Sequence, residues 1–163
     1  MFDDILAANR AYADSFHLAG LEPIAAKGLA VLTCIDSRIE PLAMLGIVPG
    51  DAKIMRNAGG RVTDDVLRTL VLAVNLLGVD RVCVVQHTAC RLDGATNEGL
   101  RATIGDLRET DAAGWDFLPI DDQERVLRTD VDVIRACPLL PPGLPVAGFV
   151  YDVDTGLLRP VVS

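Results

Sequence analysis

Short apolar segments alternate with amphipathic segments along most of this chain. Apolar runs of about four to eight residues between turn residues are typical of buried strands, and apolar residues at three- and four-residue spacing are typical of amphipathic helices. The pattern predicts strands over residues 28–33, 52–56, 80–86, 146–153 and 157–162. It predicts helices over residues 1–16, 41–45, 63–77, 97–108 and 122–136.

Residues with characteristic backbone preferences support the ends of two of these helices. Thr63 is suited to cap the long third helix, whose first turn carries two aspartates, and Gly78 is suited to end it. Asp121 and Glu124 have the spacing of a capping box, which predicts Asp121 as the cap of the last helix.

The alternation of strands and helices predicts an α/β fold, with a mainly parallel central sheet flanked by helices and right-handed crossovers. We expect the strand order 2-1-3-4 plus an antiparallel edge strand, because a tight turn at 154–156 sends the chain back on itself. In such a sheet the order reverses between strands 1 and 3. Ligands bind beyond the carboxyl ends of the strands at that reversal.

Length and composition predict a single domain that associates with a second subunit. The 163 residues fit a single domain, 1–163, in which residues 1–20 form a helical arm outside the repeating pattern. Half of the residues are apolar, only 4% are aromatic, and the mean hydropathy is +0.33. We therefore expect a core of aliphatic side chains and an apolar surface that a second subunit covers. The arm packs either on that subunit or on its own domain.

Net charge and the N-terminal sequence limit the binding partners and the cellular location that we expect for this protein. A net charge of −8 and a pI near 4.6 argue against binding to nucleic acid or to an anionic membrane. No stretch is long and apolar enough for a transmembrane helix, and the first residues lack the basic and apolar regions of a signal peptide. We expect a cytoplasmic protein whose four cysteines are thiols.

Three potential metal ligands follow strands 1 and 3. Cys34 comes directly after the first predicted strand, and His87 and Cys90 come directly after the third. Thiolate and imidazole are ligands that Zn²⁺ prefers, and three protein ligands leave a fourth position open, as in catalytic zinc sites. Cys83 and Cys137 are interpreted as small apolar residues instead.

Two charged residues near Cys34 can assist such a metal. Two thiolates cancel the formal charge of zinc and weaken it as a Lewis acid, so help from neighbouring groups is needed. Asp36 can accept a hydrogen bond from a water on the metal, while Arg38 holds the carboxylate in a bidentate pair and keeps it ionised. Alternatively, Asp36 binds the metal itself and closes the site.

Four motifs stand close to the predicted strand ends, and they are Cys34-x-Asp36-x-Arg38, Pro49-Gly50-Asp51-Ala52, Arg56-Asn57-Ala58-Gly59-Gly60 and His87-x-x-Cys90. These motifs resemble the β-class carbonic anhydrases, and in particular their small bacterial, mycobacterial-type branch. The resemblance covers about residues 29–92 closely, and the segment 148–156 is similar to the last strand pair of the family.

The resemblance implies one zinc ion per chain, bound by Cys34, His87 and Cys90. It makes Asp36 either the fourth ligand or the partner of Arg38. The implied activity is the reversible hydration of carbon dioxide to bicarbonate and a proton. The implied assembly is a homodimer that can pair into a tetramer, with the active site near the subunit interface.

Two glycines and two unusual residues lie in the sequence near the expected metal ligands. We expect Gly59 and Gly60 to bind substrate by offering backbone N–H groups to the developing anion. The family often has Gly at the position of Gln86, and it usually has Gly at the position of Arg91. Because a Cβ atom disfavours positive φ, we expect Arg91 to reshape the loop after Cys90.

Three other functions are compatible with the residues. The first is hydrolysis of carbonyl sulfide or carbon disulfide on the same zinc site. The second is a non-catalytic zinc-binding module with Asp36 permanently on the metal, and the third is a metal-free thiol redox protein. Phosphatase, nucleotide-binding and redox-dithiol motifs are absent, since position 40 is Glu and the chain has neither a Lys-containing Gly-rich loop nor a Cys-x-x-Cys pair.

Overall fold

The computed structural model describes residues 1–163 and contains all ten predicted helices and strands, with ends that differ by at most two residues. The strands are β1 (Leu29–Cys34), β2 (Ala52–Asn57), β3 (Arg81–His87), β4 (Val146–Tyr151) and β5 (Leu158–Val162). The helices are α1 (Asp3–Asp14), α2 (Pro41–Leu45), α3 (Asp64–Leu76), α4 (Asn97–Arg108) and α5 (Gln123–Arg135). A 3₁₀ turn, Ala58–Gly60, follows β2 directly.

The five strands form one sheet in the order β2-β1-β3-β4-β5, which confirms the predicted topology. All neighbouring strands are parallel except β4 and β5, which are antiparallel. Because β1 and β3 are parallel neighbours, with Thr33 opposite Val85, the residues that follow them emerge at the same edge. The predicted reversal of strand order therefore lies beside Cys34 and His87.

The core explains why β1 is apolar at every position except Thr33. All six residues of β1 are buried, as expected for a parallel strand covered on both faces. On one face, Leu32 and Val84 pack with Leu70 of α3 and Leu127 of α5 in the main cluster of buried side chains. On the other face a smaller cluster surrounds Val31.

Helix α5 begins one residue later than the capping-box spacing predicts. The cap is Asp122, whose carboxylate accepts a hydrogen bond from the Arg125 backbone N–H at 3.0 Å. The carboxylate of Asp121 instead pairs with the Arg125 guanidinium. The prediction of Asp121 as the cap is therefore wrong, because both aspartates can reach the first turn and only Asp122 has its oxygen on an N–H of that turn.

Helix α1 has an apolar side that its own domain leaves exposed. None of its residues is buried. Exposed apolar side chains on and beside it are Phe2, Ile5, Leu6, Tyr12 and Phe16. The packing of residues 1–20 on a partner subunit stays a prediction. No helix of the protein is both long enough and apolar enough to span a membrane.

Candidate metal centre

Cys34, His87 and Cys90 converge at the carboxyl ends of β1 and β3. Their ligand atoms all lie within 4.8 Å of one another, and all three residues are buried. Cys34 ends β1, His87 ends β3, and a short turn after β3 brings Cys90 back to the same place. Zinc binds sulfur at about 2.3 Å and imidazole nitrogen at about 2.0 Å, so one tetrahedral ion can contact all three atoms.

The protonation of His87 fits a metal ligand. Its Nδ1 atom lies 2.8 Å from the Thr88 carbonyl oxygen, which can only accept a hydrogen bond, so Nδ1 carries the proton. The other ring nitrogen, Nε2, is buried and has no hydrogen-bond partner in the protein. A buried acceptor without a partner is costly, and a metal ion satisfies its lone pair.

The protonation states of the two cysteines and the histidine favour the binding of a cation. A hydrogen bond from the Cys90 thiol lowers the pKa of Cys34 to about 4. The same hydrogen bond raises the pKa of Cys90, so the two sulfurs hold one proton between them at neutral pH. Burial lowers the pKa of His87, but the neighbouring Cys34 sulfur outweighs it and raises that pKa. A divalent cation that displaces the shared proton leaves two thiolates and a neutral imidazole.

Glycines allow the 3₁₀ turn to approach Cys34 closely. Gly59 has φ +77° and donates its N–H to Cys34 Sγ at 3.3 Å, which stabilises a thiolate. A Cβ atom on Gly60, which has φ +62°, would lie 3.1 Å from the Val85 carbonyl oxygen and 3.2 Å from the Cys34 nitrogen. Both positions thus require glycine, for backbone conformation and for space.

Arg38 links the loop after β1 to the loop after β3. Its Nε and Nη2 atoms donate to the two oxygens of Asp36 at 2.9 and 2.7 Å. Nη2 also donates to the Ala89 carbonyl oxygen at 2.9 Å. Asp36 Oδ2 lies 3.9 Å from His87 Nε2, so the carboxylate borders the ligand cluster while it pairs with Arg38. The hydrogen bonds from Arg38 hold the pKa of Asp36 well below its usual range.

The strained position in the second loop is Ala89 rather than Arg91. Ala89 has φ +52°, whereas Arg91 is absent from the residues with positive φ and its side chain is exposed. Arg91 avoids positive φ, as expected for a residue with a Cβ atom, and a reshaped loop relative to the family stays a prediction. Gln86 is fully buried, and neither atom of its amide has a hydrogen-bond partner in the protein.

Two further side chains fix the ligand backbone and were given no role by the sequence alone. Arg56 donates to the carbonyl oxygens of Cys34 at 2.9 Å and Asp36 at 2.7 Å. Gln123, the first residue of α5, donates to the His87 carbonyl oxygen at 2.8 Å. Arg56 belongs to a motif that the sequence singles out, but no local signal indicates that Gln123 reaches His87.

A buried ion pair supports the turn that contacts Cys34. Arg61 Nε lies 2.7 Å from Asp130 Oδ2, and these side chains are only 12% and 4% exposed. Asn57 exchanges two hydrogen bonds with the backbone of Arg61, which closes the Ala58–Gly60 turn between them. Burial raises the pKa of Asp130, and Arg61 opposes that rise.

Comparison with known proteins agrees with this fold and site. The family model of carbonic anhydrase matches residues 29–112. The curated Beta-carbonic anhydrase 1 of Mycobacterium tuberculosis is 35% identical over 162 residues, which is 98% of this chain and 96% of that protein. The crystal structure of carbonic anhydrase from Streptococcus mutans superposes with a TM-score of 0.92 and 41% identity, and it covers 98% of this chain and 96% of that one.

Fold and cysteine–histidine cluster together define an α/β zinc enzyme of the carbonic anhydrase type. The chain belongs to the β-carbonic anhydrase family. Its activity is the reversible hydration of carbon dioxide, and its cofactor is zinc. Related proteins with a different name also occur, since a carbon disulfide hydrolase of Acidianus is 34% identical over 154 residues, 80% of this chain and 76% of that protein.

Proposed function

We propose that Cys34, His87 and Cys90 hold the zinc ion, one per chain, at which this protein hydrates carbon dioxide. The observation that carries the proposal is the convergence of three buried ligand atoms within 4.8 Å, one of them a histidine nitrogen without a partner. When bound there, zinc lowers the pKa of a coordinated water so that a nucleophile is available near neutral pH.

Asp36 acts as the hydrogen-bond acceptor that orients the attacking water. Its pairing with Arg38 keeps the carboxylate ionised and fixes its plane. Oδ2, the oxygen nearer His87, accepts the hydrogen bond from the water and directs its lone pair towards carbon dioxide. Arg38 is a positioning residue, because it acts through Asp36. The alternative role of Asp36 as a fourth ligand requires that it leave Arg38.

The surroundings of the cluster suit a small apolar substrate. Side chains that pack against Cys34 and Cys90 are mostly apolar, namely Ile39, Leu92, Ile120, Val126, Met44 and Tyr151. Carbon dioxide has no net dipole and needs no strong hydrogen bond in such a pocket. We assign Gly59 and Gly60 to substrate binding through the backbone of their turn. Since the Gly59 N–H donates to Cys34 Sγ, its effect on the developing anion passes through the ligand thiolate.

Stopped-flow measurement of carbon dioxide hydration tests this proposal when zinc is quantified in the same sample. We expect about one zinc per chain in the unmodified protein. Cys34→Ser should lose zinc and activity together. Cys83→Ser is the matched control, because Cys83 lies in β3 outside the cluster. This variant should keep its zinc and its activity. Full activity in zinc-free protein, or unchanged zinc in Cys34→Ser, would overturn the proposal.

Hydrolysis of carbon disulfide is the second candidate, favoured by relatives that bear that name at 30–34% identity. It uses the same zinc site and differs in the gas that reaches it. Turnover of carbon dioxide, carbonyl sulfide and carbon disulfide by one zinc-loaded preparation separates the candidates. Carbon disulfide turnover without carbon dioxide hydration would favour the second, and no turnover of any gas would favour a non-catalytic zinc module.

We also propose a homodimer in which α1 of each chain packs on the other chain. Support comes from the apolar side of α1, where Ile5 and Leu6 are 61% and 55% exposed. Burying such side chains stabilises association by about 1.5–3 kcal/mol for each residue fully covered. Light scattering at micromolar concentration should give a dimer or tetramer for the unmodified chain. Leu6→Glu should dissociate it, whereas Ala11→Glu, on the opposite side of α1 and also exposed, should not.

We also propose that the protein is located in the cytoplasm. All four cysteines are free thiols, and the two that bind zinc must remain reduced to do so. Fractionation of cells that produce the untagged protein should place it with the cytoplasmic enzymes.

A further inference from the structure

A second cavity lies at the opposite end of the sheet from the metal centre. Its volume is about 550 Å³, within the range typical of small-molecule sites. The first residues of β3 and β4, the last turn of α5 and the loop 140–145 form its walls. The seven residues of β3 separate it from His87 by about 20 Å, since a strand rises about 3.3 Å per residue.

The cavity has an apolar interior. Its floor consists of side chains that are almost fully buried, Val82, Ile134 and Val146. Further apolar walls come from Leu140, Pro141, Leu144 and Pro145. An apolar ligand body of matching shape would remove this surface and its own from water.

Two arginines line the same cavity. Arg81 donates one hydrogen bond, to the Lys27 carbonyl oxygen at 3.3 Å, and forms no ion pair. Arg135 donates to the Val146 carbonyl oxygen at 2.7 Å and forms a partly exposed ion pair with Asp132 at 3.8 Å. Each guanidinium has five N–H donors, so both keep donors free.

Other polar groups on the wall do not neutralise these cations. No Asp or Glu lines the cavity. Burial raises the pKa of Cys83, which therefore stays a neutral thiol. Ser163 also lines the cavity. Arg81 is therefore a cation without a carboxylate partner beside apolar walls, and Arg135, which is distant from it in sequence, lines the same cavity and keeps donors free.

We propose that this cavity binds a monocarboxylate with an apolar body, of the medium-chain fatty acid class. The carboxylate accepts hydrogen bonds from Arg81 and Arg135, whose planar donors match its two oxygens. The apolar chain lies over Val82 and Val146. A compact, strongly hydrated anion such as phosphate would leave the apolar walls uncovered, which is why the carboxylate with an apolar body fits better.

Titration of the zinc-loaded full chain with octanoate tests the proposal, with octan-1-ol as the neutral probe of similar shape. Calorimetry gives the affinity, and amide chemical shifts give the location. We expect shifts at Val82, Cys83 and Ala147, none at Asp36 or Cys90, and binding of octan-1-ol at least about 10-fold weaker. Excess bicarbonate should not displace octanoate.

Variants identify the cation that selects the carboxylate. Arg81→Met should weaken octanoate binding about 10- to 100-fold, as expected for loss of a charged hydrogen bond, and should leave carbon dioxide hydration unchanged. Arg68→Met, an exposed arginine on α3, is the control and should bind octanoate normally. Leu144→Glu, which places a carboxylate on the wall, should abolish binding.

Three results would overturn the proposal. Displacement of octanoate by bicarbonate would assign the binding to the metal centre. Equal affinity for octan-1-ol would show that the arginines select nothing. Unchanged binding in both Arg81→Met and Leu144→Glu would place the ligand elsewhere. Hydration activity measured on the same samples shows whether a variant has disturbed the zinc site.

Discussion

Arg38 holds Asp36 through three hydrogen bonds. The guanidinium contacts both carboxylate oxygens, and the Arg38 backbone N–H donates to Oδ1 at 2.9 Å. Side-chain and backbone donors from one residue fix the plane of the carboxylate as well as its charge. The consequence is an acceptor of defined direction at the border of the metal centre, 3.9 Å from His87 Nε2.

Replacing Arg38 by Gln should lower kcat/KM for carbon dioxide hydration about 10- to 100-fold, the usual cost of losing a group that orients a metal-site residue. Zinc content should not change. The pKa of Asp36 rises towards its usual range, near 3.8, when Arg38 is lost, so Asp36 remains ionised at pH 7. The decrease in kcat/KM therefore reports the lost orientation of the Asp36 carboxylate and not a change in its charge. Stopped-flow rates with zinc analysis provide the measurement.

Arg68→Gln is the control for that variant. Arg68 pairs with Asp65 at 2.6 Å, also close in sequence, but on an exposed face of α3. It should retain full activity. Equal rates for Arg38→Gln and the unmodified protein would refute the positioning role of Arg38.

Ala89→Gly should stabilise the protein. Ala89 has φ +52°, a conformation that costs an alanine about 1 kcal/mol and a glycine almost nothing. Glycine is more flexible in the unfolded chain, so the net gain in the free energy of unfolding should be about 0.5 kcal/mol. Denaturation of zinc-loaded protein in urea measures it.

The opposite sign is expected for the same substitution in a helix. Ala102→Gly, at an exposed position of α4, should lower the free energy of unfolding by about 1 kcal/mol. Equal destabilisation by both substitutions would mean that the Ala89 backbone is unstrained.

Breaking the buried ion pair should be costly. Arg61→Leu leaves the Asp130 carboxylate buried without its partner, which should lower the free energy of unfolding by about 3–5 kcal/mol. The double variant Arg61→Leu/Asp130→Leu should lose less, because it leaves no uncompensated charge. Urea denaturation of both variants compares them.

The single variant should also become pH-dependent in a defined direction. Burial raises the pKa of Asp130, and Arg61 opposes the rise, so removing Arg61 raises that pKa further. A carboxyl whose pKa is higher in the folded state favours folding when protonated. Arg61→Leu should therefore lose stability as pH rises through the folded pKa of Asp130. An equally steep dependence in the double variant would assign it to another group.

Asp152 should contribute stability that acid removes. Its carboxylate accepts hydrogen bonds from the backbone N–H groups of Asp154 and Thr155 at 2.9 and 3.0 Å, and these lower its pKa. The contribution is complete above the unfolded pKa, near 3.8, and is lost as pH falls through the folded value.

The difference in stability between the unmodified protein and Asp152→Asn should thus be constant above about pH 5 and shrink below pH 4. Loss of zinc in acid affects both chains and cancels in the difference. Asp154→Asn is the control, because the Asp154 carboxylate accepts no hydrogen bond, and its effect should be small throughout. A difference that stays constant down to pH 2 would contradict the role of Asp152.

Local pattern determined the order and type of every helix and strand. Apolar runs identify strands because a parallel strand is buried on both faces, and β1 is buried along its whole length. Topology rules then placed Cys34 and His87 at adjacent strand ends. The metal cluster was predictable because two of its residues end neighbouring strands and the third, Cys90, lies one short turn later.

Contacts between distant residues were not predictable in the same way. Gln123 reaches the His87 backbone from 36 residues away, and Arg61 pairs with Asp130 across 69 residues. No periodicity or motif in the sequence predicts either contact, because both depend on where α5 packs against the sheet.

The sequence by itself thus specified the framework and the convergence of Cys34, His87 and Cys90, through hydrophobic periodicity and the fixed hand of parallel connections. Only the tertiary structure decided that Asp36 pairs with Arg38, that the left-handed residue is Ala89, and that two arginines line one cavity at the far end of the sheet. Backbone conformation in a short loop and the meeting of side chains from separate elements depend on packing, which the pattern along the chain does not encode.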